Sequence, residues 1–147
     1  MQGRFETFTV LITTINRSIR KIKTEEMAEF DLKSPHVSCL YYLYTLDSLT
    51  ATRLCEICNE DKGAISRSLD YLEKSGLILC RSDDKKRYNS PLELTAKGKE
   101  IAESIARKMN GILEKVGVGL SDEDRKIMYR SLAVISENLQ KLCEGYE

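Results

Sequence analysis

The stretch that decides the fold is LTATRLCEICNEDKGAISRSLDYLEKSGLILC, residues 49–80. Thr50 precedes apolar residues at helical spacing and therefore predicts the N-cap of a short helix beginning at Ala51. Asp61 predicts the cap of a second helix over residues 62–74, which Gly76 ends. Two short helices joined by the turn Asn59-Glu60 are typical of a helix-turn-helix.

A β-hairpin is expected directly after the second helix. Residues 77–81 form an apolar arm, residues 82–86 a polar tip and residues 87–94 the returning arm, which Pro91 restricts to a sheet edge. The tip ends in cations that suit phosphates or a narrow minor groove, namely Lys85, Lys86 and Arg87. The fold is therefore predicted to be mainly α with a small β-hairpin wing, a winged helix-turn-helix, and such modules mostly bind DNA.

The second helix has two contrasting faces. Its apolar positions Ile65, Leu69 and Leu72 recur at helical spacing and are expected in the core. The opposite face carries small or hydrogen-bonding residues: Gly63, Ser66, Arg67 and Asp70. Such a face suits the major groove, where an arginine can donate two hydrogen bonds to guanine. The alternative is the solvated polar face of an ordinary amphipathic helix.

Four motifs in this order resemble the MarR (multiple antibiotic resistance regulator) family of winged-helix transcriptional regulators. They are Leu49-Thr50, Asp61-Lys62-Gly63-Ala64-Ile65-Ser66-Arg67, Leu72-Glu73-Lys74-Ser75-Gly76-Leu77-Ile78 and Leu94-Thr95-Ala96-Lys97-Gly98. The resemblance extends over nearly the whole chain. It implies a single domain, residues 1–147, with a winged helix-turn-helix part at 34–95 and helical dimerisation parts at 1–30 and 96–145.

The resemblance also implies the residues that contact double-stranded DNA. They are Lys62, Gly63, Ala64, Ser66 and Arg67 on the second helix, and Asp84, Lys85, Lys86 and Arg87 on the wing. Two departures from the family pattern bear on specificity. The wing has lysine where an arginine is usual, with the arginine one residue later, so the cation that enters the minor groove stays open. Gly63 stands where many members carry serine.

Both chain ends carry heptad-like apolar rows. The first row is Phe5, Phe8, Ile12, Ile15, Ile19 and Ile22, and the second is Met128, Leu132, Ile135, Leu139 and Leu142. These rows could close within one chain, but the resemblance assigns them to a two-fold homodimer. By the same resemblance the chain is predicted to be a repressor of a palindromic operator, released by a small-molecule, phenolic effector. His36, Leu40 and Tyr44 are one helical turn apart and are predicted to line the effector pocket, although His36 also fits an exposed position in a first helical turn.

The cysteines favour packing over metal binding. Cys55 and Cys58 form one Cys-x-x-Cys pair without a second pair of ligands, and His36 is the chain's only histidine, so no metal site is predicted. Cys39 lies near several tyrosines, and some family members sense oxidants through a cysteine near tyrosines. Their reactive cysteine lies on the first helix, which contains none here, so a cysteine-based redox regulator remains an alternative.

Composition sets the remaining limits. The 147 residues carry zero formal net charge, which argues against strong non-specific DNA binding and leaves a protein-interaction module as the rival function. No nucleophile elbow, phosphate loop or dinucleotide motif occurs, so neither an enzyme nor a cofactor is predicted. No apolar run has the length of a signal peptide or a membrane span, which predicts a cytoplasmic protein without membrane contact.

Overall fold

The computed structural model describes residues 3–46, 48–80 and 90–147, and within these ranges the chain forms six α-helices and two short strands. The order is α1 (Arg4–Glu26), a 3-10 turn (Ala28–Phe30), α2 (Ser34–Thr45), α3 (Ala51–Cys58), α4 (Lys62–Lys74), β1 (Ile78–Cys80), β2 (Leu92–Leu94), α5 (Ala96–Val116) and α6 (Asp122–Glu144). The predicted fold class, mainly helical with a small β-hairpin wing, is confirmed.

The hydrophobic core lies among α2, α3, α4 and the two strands. Ile65, Leu69 and Leu72, the predicted inner face of α4, are at most 1 % exposed. They meet Leu40 of α2 and Leu54 of α3, which are fully buried in the same core. Because one face of α4 is held in this way, the direction of its opposite face is fixed.

Three N-caps are present, of which the sequence predicts those at Thr50 and Asp61. Thr50 Oγ1 accepts from the Arg53 backbone N–H at 3.2 Å, Asp61 Oδ1 accepts from the Ala64 N–H at 2.7 Å, and Ser121 Oγ accepts from the Asp124 N–H at 3.1 Å. Each bond satisfies a backbone donor that the helix itself leaves unpaired, which is typically worth about 1 kcal/mol.

Helix α2 is preceded at its N-cap by Lys33, which is not one of the residues preferred there. Ser34 is already the first helical residue, and the imidazole Nδ1 of His36 accepts from the backbone N–H of Lys33 at 3.1 Å. The Ser34 N–H donates instead to Thr24 Oγ1 of α1 at 3.3 Å. The start of α2 is therefore tied to α1 by a contact ten residues away along the chain.

The strands form an antiparallel pair in which Leu79 lies opposite Glu93. Ile78 points into the core at 1 % exposure, whereas Leu79 is 51 % exposed, as expected for alternating sides of a half-buried sheet. Pro91 immediately precedes β2, and the Leu92 N–H donates outside the hairpin to the Leu49 carbonyl at 2.8 Å. This bond fixes the base of the wing against the start of α3.

The chain divides into two compact units, Met1–Lys108 and Met109–Glu147, with the boundary inside α5. The first contains the winged helix and α1. The second contains the end of α5 and α6. None of the helices in residues 3–46, 48–80 and 90–147 has the length and apolar character of a membrane span.

Candidate nucleic-acid interface

The outward face of α4 is the centre of the candidate interface. Lys62, Gly63 and Arg67 are exposed, and Ser66 is half-buried. The Asp61 carboxylate accepts from the Ala64 N–H at this end of α4 and so caps the helix immediately before Lys62. Four of the predicted contact residues thus share one accessible surface at the start of a capped helix.

Ala64 is placed differently from the other predicted contacts. It is half-buried and lines a cavity bounded by α1, α2 and α4, on the side facing Cys58 and Ser68. Its side chain therefore belongs to the inner border of the helix, although its backbone N–H takes part in the cap.

Gly63 provides space for the arginine that sequence reasoning placed in the major groove. A Cβ added at Gly63 would lie 3.3 Å from Arg67 Nη1 and 3.4 Å from Asp61 Oδ1. The guanidinium of Arg67 consequently lies back along α4, over the glycine and near the capping carboxylate. The sequence identified Gly63 only as a departure from the family pattern, because the path of a long side chain cannot be read from spacing.

The predicted wing contacts Asp84, Lys85, Lys86 and Arg87 lie outside the described residues. The base of the wing is described, and it shows what the Leu94-Thr95-Ala96-Lys97-Gly98 motif does. Thr95 Oγ1 donates to the Gly76 carbonyl at 2.7 Å and accepts from the Gly98 N–H at 3.0 Å. One hydroxyl therefore caps α5 and holds the end of α4.

Gly98 adds a close contact between backbones to the two hydrogen bonds of Thr95. We call these contacts of Thr95 and Gly98 the clasp between α5 and the wing base. A Cβ at Gly98 would lie 2.0 Å from the Leu77 carbonyl oxygen, so only glycine fits between α5 and the residue preceding β1. The Thr95 N–H donates to that same carbonyl at 3.0 Å. The Leu94–Gly98 motif thus packs α5 against the wing base and fixes the position at which the wing begins relative to α4.

The chain resembles known proteins in sequence and in fold. The family model described as "MarR family" matches residues 30–87, which span α2, α3, α4 and β1. The solved structure titled "Crystal Structure of MarR" is 25 % identical, covers 97 % of both chains and has a TM-score of 0.78. Over residues 30–87 the chain is therefore similar to members of the MarR family. Members of this family are transcriptional regulators and not enzymes.

Two further relatives extend the comparison. The helix-turn-helix-type transcriptional regulator YwoH of Bacillus subtilis (strain 168), itself uncharacterised, is 29 % identical over 119 residues, 79 % of this chain and 86 % of YwoH. A MarR-family regulator from Listeria monocytogenes, solved in complex with a 26mer DNA, is 22 % identical with a TM-score of 0.81, over 95 % of this chain and 90 % of that one. The likeness to the Listeria monocytogenes protein shows that the two chains share a fold.

The three residues predicted to line the effector pocket do not lie together in one pocket. Leu40 is fully buried in the core, and Tyr44 borders an open groove with Leu92 and Lys99. His36 stacks on Tyr71 of α4, with ring centroids 4.2 Å apart and planes 9° apart. The Tyr71 hydroxyl donates to the Asp31 backbone carbonyl and lies 3.0 Å from the Asp31 carboxylate, so this stack joins the start of α2 to α4.

The cavity beside Ala64 was not predicted from the sequence. Its volume is 260 Å³, and basic side chains enter it from α1: Arg20 and Lys23. The Lys23 ammonium donates to Ser38 Oγ at 3.1 Å, and burial lowers the pKa of Lys23. The same cavity is bordered by Ser34 and Cys58. It is a partly enclosed pocket, lined by these two basic side chains and by the acidic Glu60, next to the inner side of α4.

Cysteines and acids form no metal site in the part of the chain that is described, where no cluster of three suitable side chains occurs. Cys39 is buried, as expected for packing, but Cys58 is only half-buried and borders the cavity. The prediction that Cys58 is enclosed in the core therefore holds only for part of its surface.

Proposed function

We propose that the chain is a homodimeric MarR-type transcriptional regulator that binds double-stranded DNA through α4 in the major groove and the wing on the flanking backbone. The observation that carries this proposal is the outward face of α4, where Lys62, Gly63, Ser66 and Arg67 stand at the start of a capped helix. The inner face of α4 is buried, so the helix can present only this side. The Listeria monocytogenes relative, which shares the fold, was solved with DNA.

The unpartnered apolar rows of α1 and α6 support the homodimer. Phe5 is 78 % exposed and Ile15 54 % exposed on α1, while Leu139 is 48 % and Leu142 62 % exposed on α6. A monomer would leave these rows in water at a cost that burial against a second copy removes. A two-fold dimer presents two α4 helices and binds a palindrome with half-sites about 34–36 Å apart.

Regulation by a small anionic or phenolic effector is part of the same proposal. Arg20 and Lys23 line a cavity that also borders Ala64 and Ser68 of α4. A ligand that binds one dimer geometry better than the other shifts the population toward that geometry. An effector that prefers the form unable to span both half-sites would act as an inducer, and the protein would be a repressor.

The test is selection of bound fragments from the source genome at about physiological salt, followed by Arg67→Ala on the recovered sequence. Loss of a bidentate contact to guanine costs about 1–3 kcal/mol on the cognate site and little on random DNA. Lys141→Ala is the matched control, because it also removes one exposed cation, from α6, where Lys141 pairs with Glu137 at 3.3 Å. Equal losses on cognate and random DNA would remove Arg67 from base recognition.

The zero net charge favours one rival function, docking of a protein partner on the winged helix. Salt dependence separates the two. Binding to phosphates weakens steeply as salt rises, with a logarithmic slope of about −0.9 per neutralised phosphate, whereas a largely apolar protein contact lacks that slope. Retention of no DNA at low salt, with or without phenolic ligands, would favour the protein partner.

A further inference from the structure

Three side chains from separate segments meet on one flank of α4. Asp31 lies in the connection between the 3-10 turn and α2, His36 in the first turn of α2, and Tyr71 on α4. The His36 ring is stacked on the Tyr71 ring, and the Tyr71 hydroxyl donates to the Asp31 carbonyl and lies 3.0 Å from its carboxylate. These contacts tie α4 to the segment that joins α1 to α2, so we call the three residues the anchor of α4.

The anchor lies where it can set the direction of the exposed face of α4. Successive helix residues are about 100° apart, so Tyr71 lies on the flank between exposed Arg67, one turn earlier, and buried Leu72. The core holds the inner side of the helix, and the anchor holds this flank. If the anchor opens, α4 can tilt on its buried side and carry Arg67 with it.

The segment to which Tyr71 is bonded has a fixed backbone. Asp31 is in the left-handed conformation at φ 57°, which aspartate tolerates better than most residues. Its N–H donates to the Ala28 carbonyl at 3.0 Å, and the following Leu32 is 2 % exposed. The acceptors for the Tyr71 hydroxyl are therefore held in place.

The third member, His36, must be neutral to keep its contacts. Its Nδ1 accepts from the Lys33 backbone N–H at 3.1 Å and so carries no proton, whereas Nε2 carries one. A second proton would place an N–H at Nδ1 against the N–H of Lys33. The bond that caps α2 is then lost, and the ring has to turn away from its position on Tyr71.

The surroundings of His36 set the pH at which this happens. Lys33 and Asp31 act on the imidazole from the connection before α2, and from α4 it faces Tyr71, a phenol that is uncharged near neutral pH. Burial and then the Lys33 ammonium lower the pKa of His36, against the opposing effect of Asp31. The ring is therefore neutral at pH 7.5 and gains its proton below the ordinary pKa of about 6.5.

We propose that Asp31, His36 and Tyr71 position α4 for operator binding, and that a proton on His36 releases the helix. In the neutral protein the ring covers Tyr71, and the Tyr71 hydroxyl stays on Asp31. In the protonated protein the stack opens, the hydroxyl bond loosens, and operator affinity falls. The sign is diagnostic, because an imidazolium that met DNA phosphates directly would instead strengthen binding. The effect on DNA rests on the proposed function, whereas the release of α4 does not.

The release is tested without DNA, by NMR titration of the full-length protein from pH 7.5 to 5.0. His36 is the chain's only histidine, so its ring resonances report a single group. We expect the backbone amides of residues 67–71 to shift with the same midpoint as the ring. Tyr71→Leu, which removes the stack, should raise the His36 pKa toward its ordinary value and uncouple these amides from the ring. Tyr146→Leu, at an 86 % exposed position, is the matched control and should change neither.

Operator affinity is then measured over the same pH range on the selected sequence. We expect the wild-type affinity to fall about fivefold or more toward pH 5.0, a typical size for coupling between two sites. His36→Gln cannot gain the proton and should give a flat profile. Tyr71→Phe keeps the stack but loses the hydroxyl bonds to Asp31, so it should bind more weakly at pH 7.5 and flatten the profile as well. A merely structural role for Tyr71 would weaken binding equally at every pH.

Thermodynamic linkage gives a reciprocal measurement. If protonation weakens DNA binding fivefold, DNA binding must lower the His36 pKa in the complex by about 0.7. The proposal is overturned by α4 amides that do not follow the ring, by a His36 pKa that DNA leaves unchanged or raises, or by full pH dependence in His36→Gln. If the protein binds no DNA sequence at pH 7.5 while the amides still follow the ring, the proposed function fails and the release of α4 stands.

Discussion

Replacing Gly98 by alanine should destabilise the protein severely, although alanine is the better helix former. In an open helix this change gains about 0.5–1 kcal/mol. At Gly98 the added Cβ would lie 2.0 Å from the Leu77 carbonyl oxygen and 2.9 Å from its carbon, well inside ordinary contact. The backbone of α5 must then move away from the residue preceding β1 by about 1 Å or more. Overpacking of this kind costs about 1–3 kcal/mol and sometimes more.

Separation would also stretch the bond from the Thr95 N–H to the same Leu77 carbonyl, now 3.0 Å, adding about 1 kcal/mol. After subtraction of the gain in helix propensity, the net loss expected for Gly98→Ala is about 1–3 kcal/mol. With a urea slope of about 2 kcal/mol per molar, the unfolding midpoint should fall by about 0.5–1.5 M. The measurement is urea unfolding followed by circular dichroism, at one protein concentration because association contributes to stability.

Gly111→Ala is the matched control, since it is the same substitution in the same helix. Nothing lies within 4 Å of a Cβ at Gly111, which is exposed. It should therefore raise the midpoint slightly, by the helix propensity gain of about 0.5–1 kcal/mol. If Gly98→Ala also raised the midpoint, the clasp between α5 and the wing base would be loose, and the structural explanation of the Leu-Thr-x-Lys-Gly motif would be wrong.

Three further outcomes are expected. The free energy of unfolding should decline as the pH falls below about 6.5, because burial lowers the pKa of His36 and the unfolded chain therefore binds the proton first. His36→Gln should flatten this decline in urea midpoints measured from pH 7.5 to 5.5. Thr95→Ala should cost about 1–2 kcal/mol in urea unfolding, since it loses the bond to Gly76 and the α5 cap, and Thr95→Ser should restore most of it. Lys108→Met should cost under about 1 kcal/mol and lose its effect at 1 M salt, because the Lys108 pair with Glu29 is partly exposed.

The elements that the sequence predicted are those specified by local contacts. Thr50 and Asp61 each cap a helix through a backbone group three residues away, so residue type and spacing suffice to place them. The start of α2 could not be placed in this way because two distant or unusual partners decide it: Thr24 of α1 and the ring of His36. The residue preferences at helix N-caps predict neither of these partners.

Contacts between distant residues account for what the sequence missed at the site. Tyr71 bonds Asp31 across 40 residues, and Lys23 of α1 bonds Ser38 of α2. No periodicity encodes such meetings, which depend on how α2 packs on α1 and α4. His36 was assigned to an effector wall from its helical spacing, whereas its ring stacks on Tyr71. The sequence predicted the elements and the outward face of α4, but not the cavity behind that face.

Much of the family signature in this chain is explained by structure, and this narrows where DNA specificity can reside. Asp61 caps α4, and Ile65 packs in the core. Thr95 and Gly98 hold α5 against the wing base. In this chain these residues serve the fold, so we do not expect their side chains to contact bases.

The positions on α4 that remain for discrimination among operators are Lys62, Gly63, Ser66 and Arg67. Gly63 lets the Arg67 guanidinium lie near the helix start. A side chain at position 63 must displace that guanidinium, because an added Cβ already lies 3.3 Å from Nη1. Gly63→Ser should therefore change which bases Arg67 reaches while leaving stability nearly unaltered. Fragment selection with the variant should recover a shifted half-site, and recovery of the same half-site at the same affinity would show that Arg67 binds independently of Gly63.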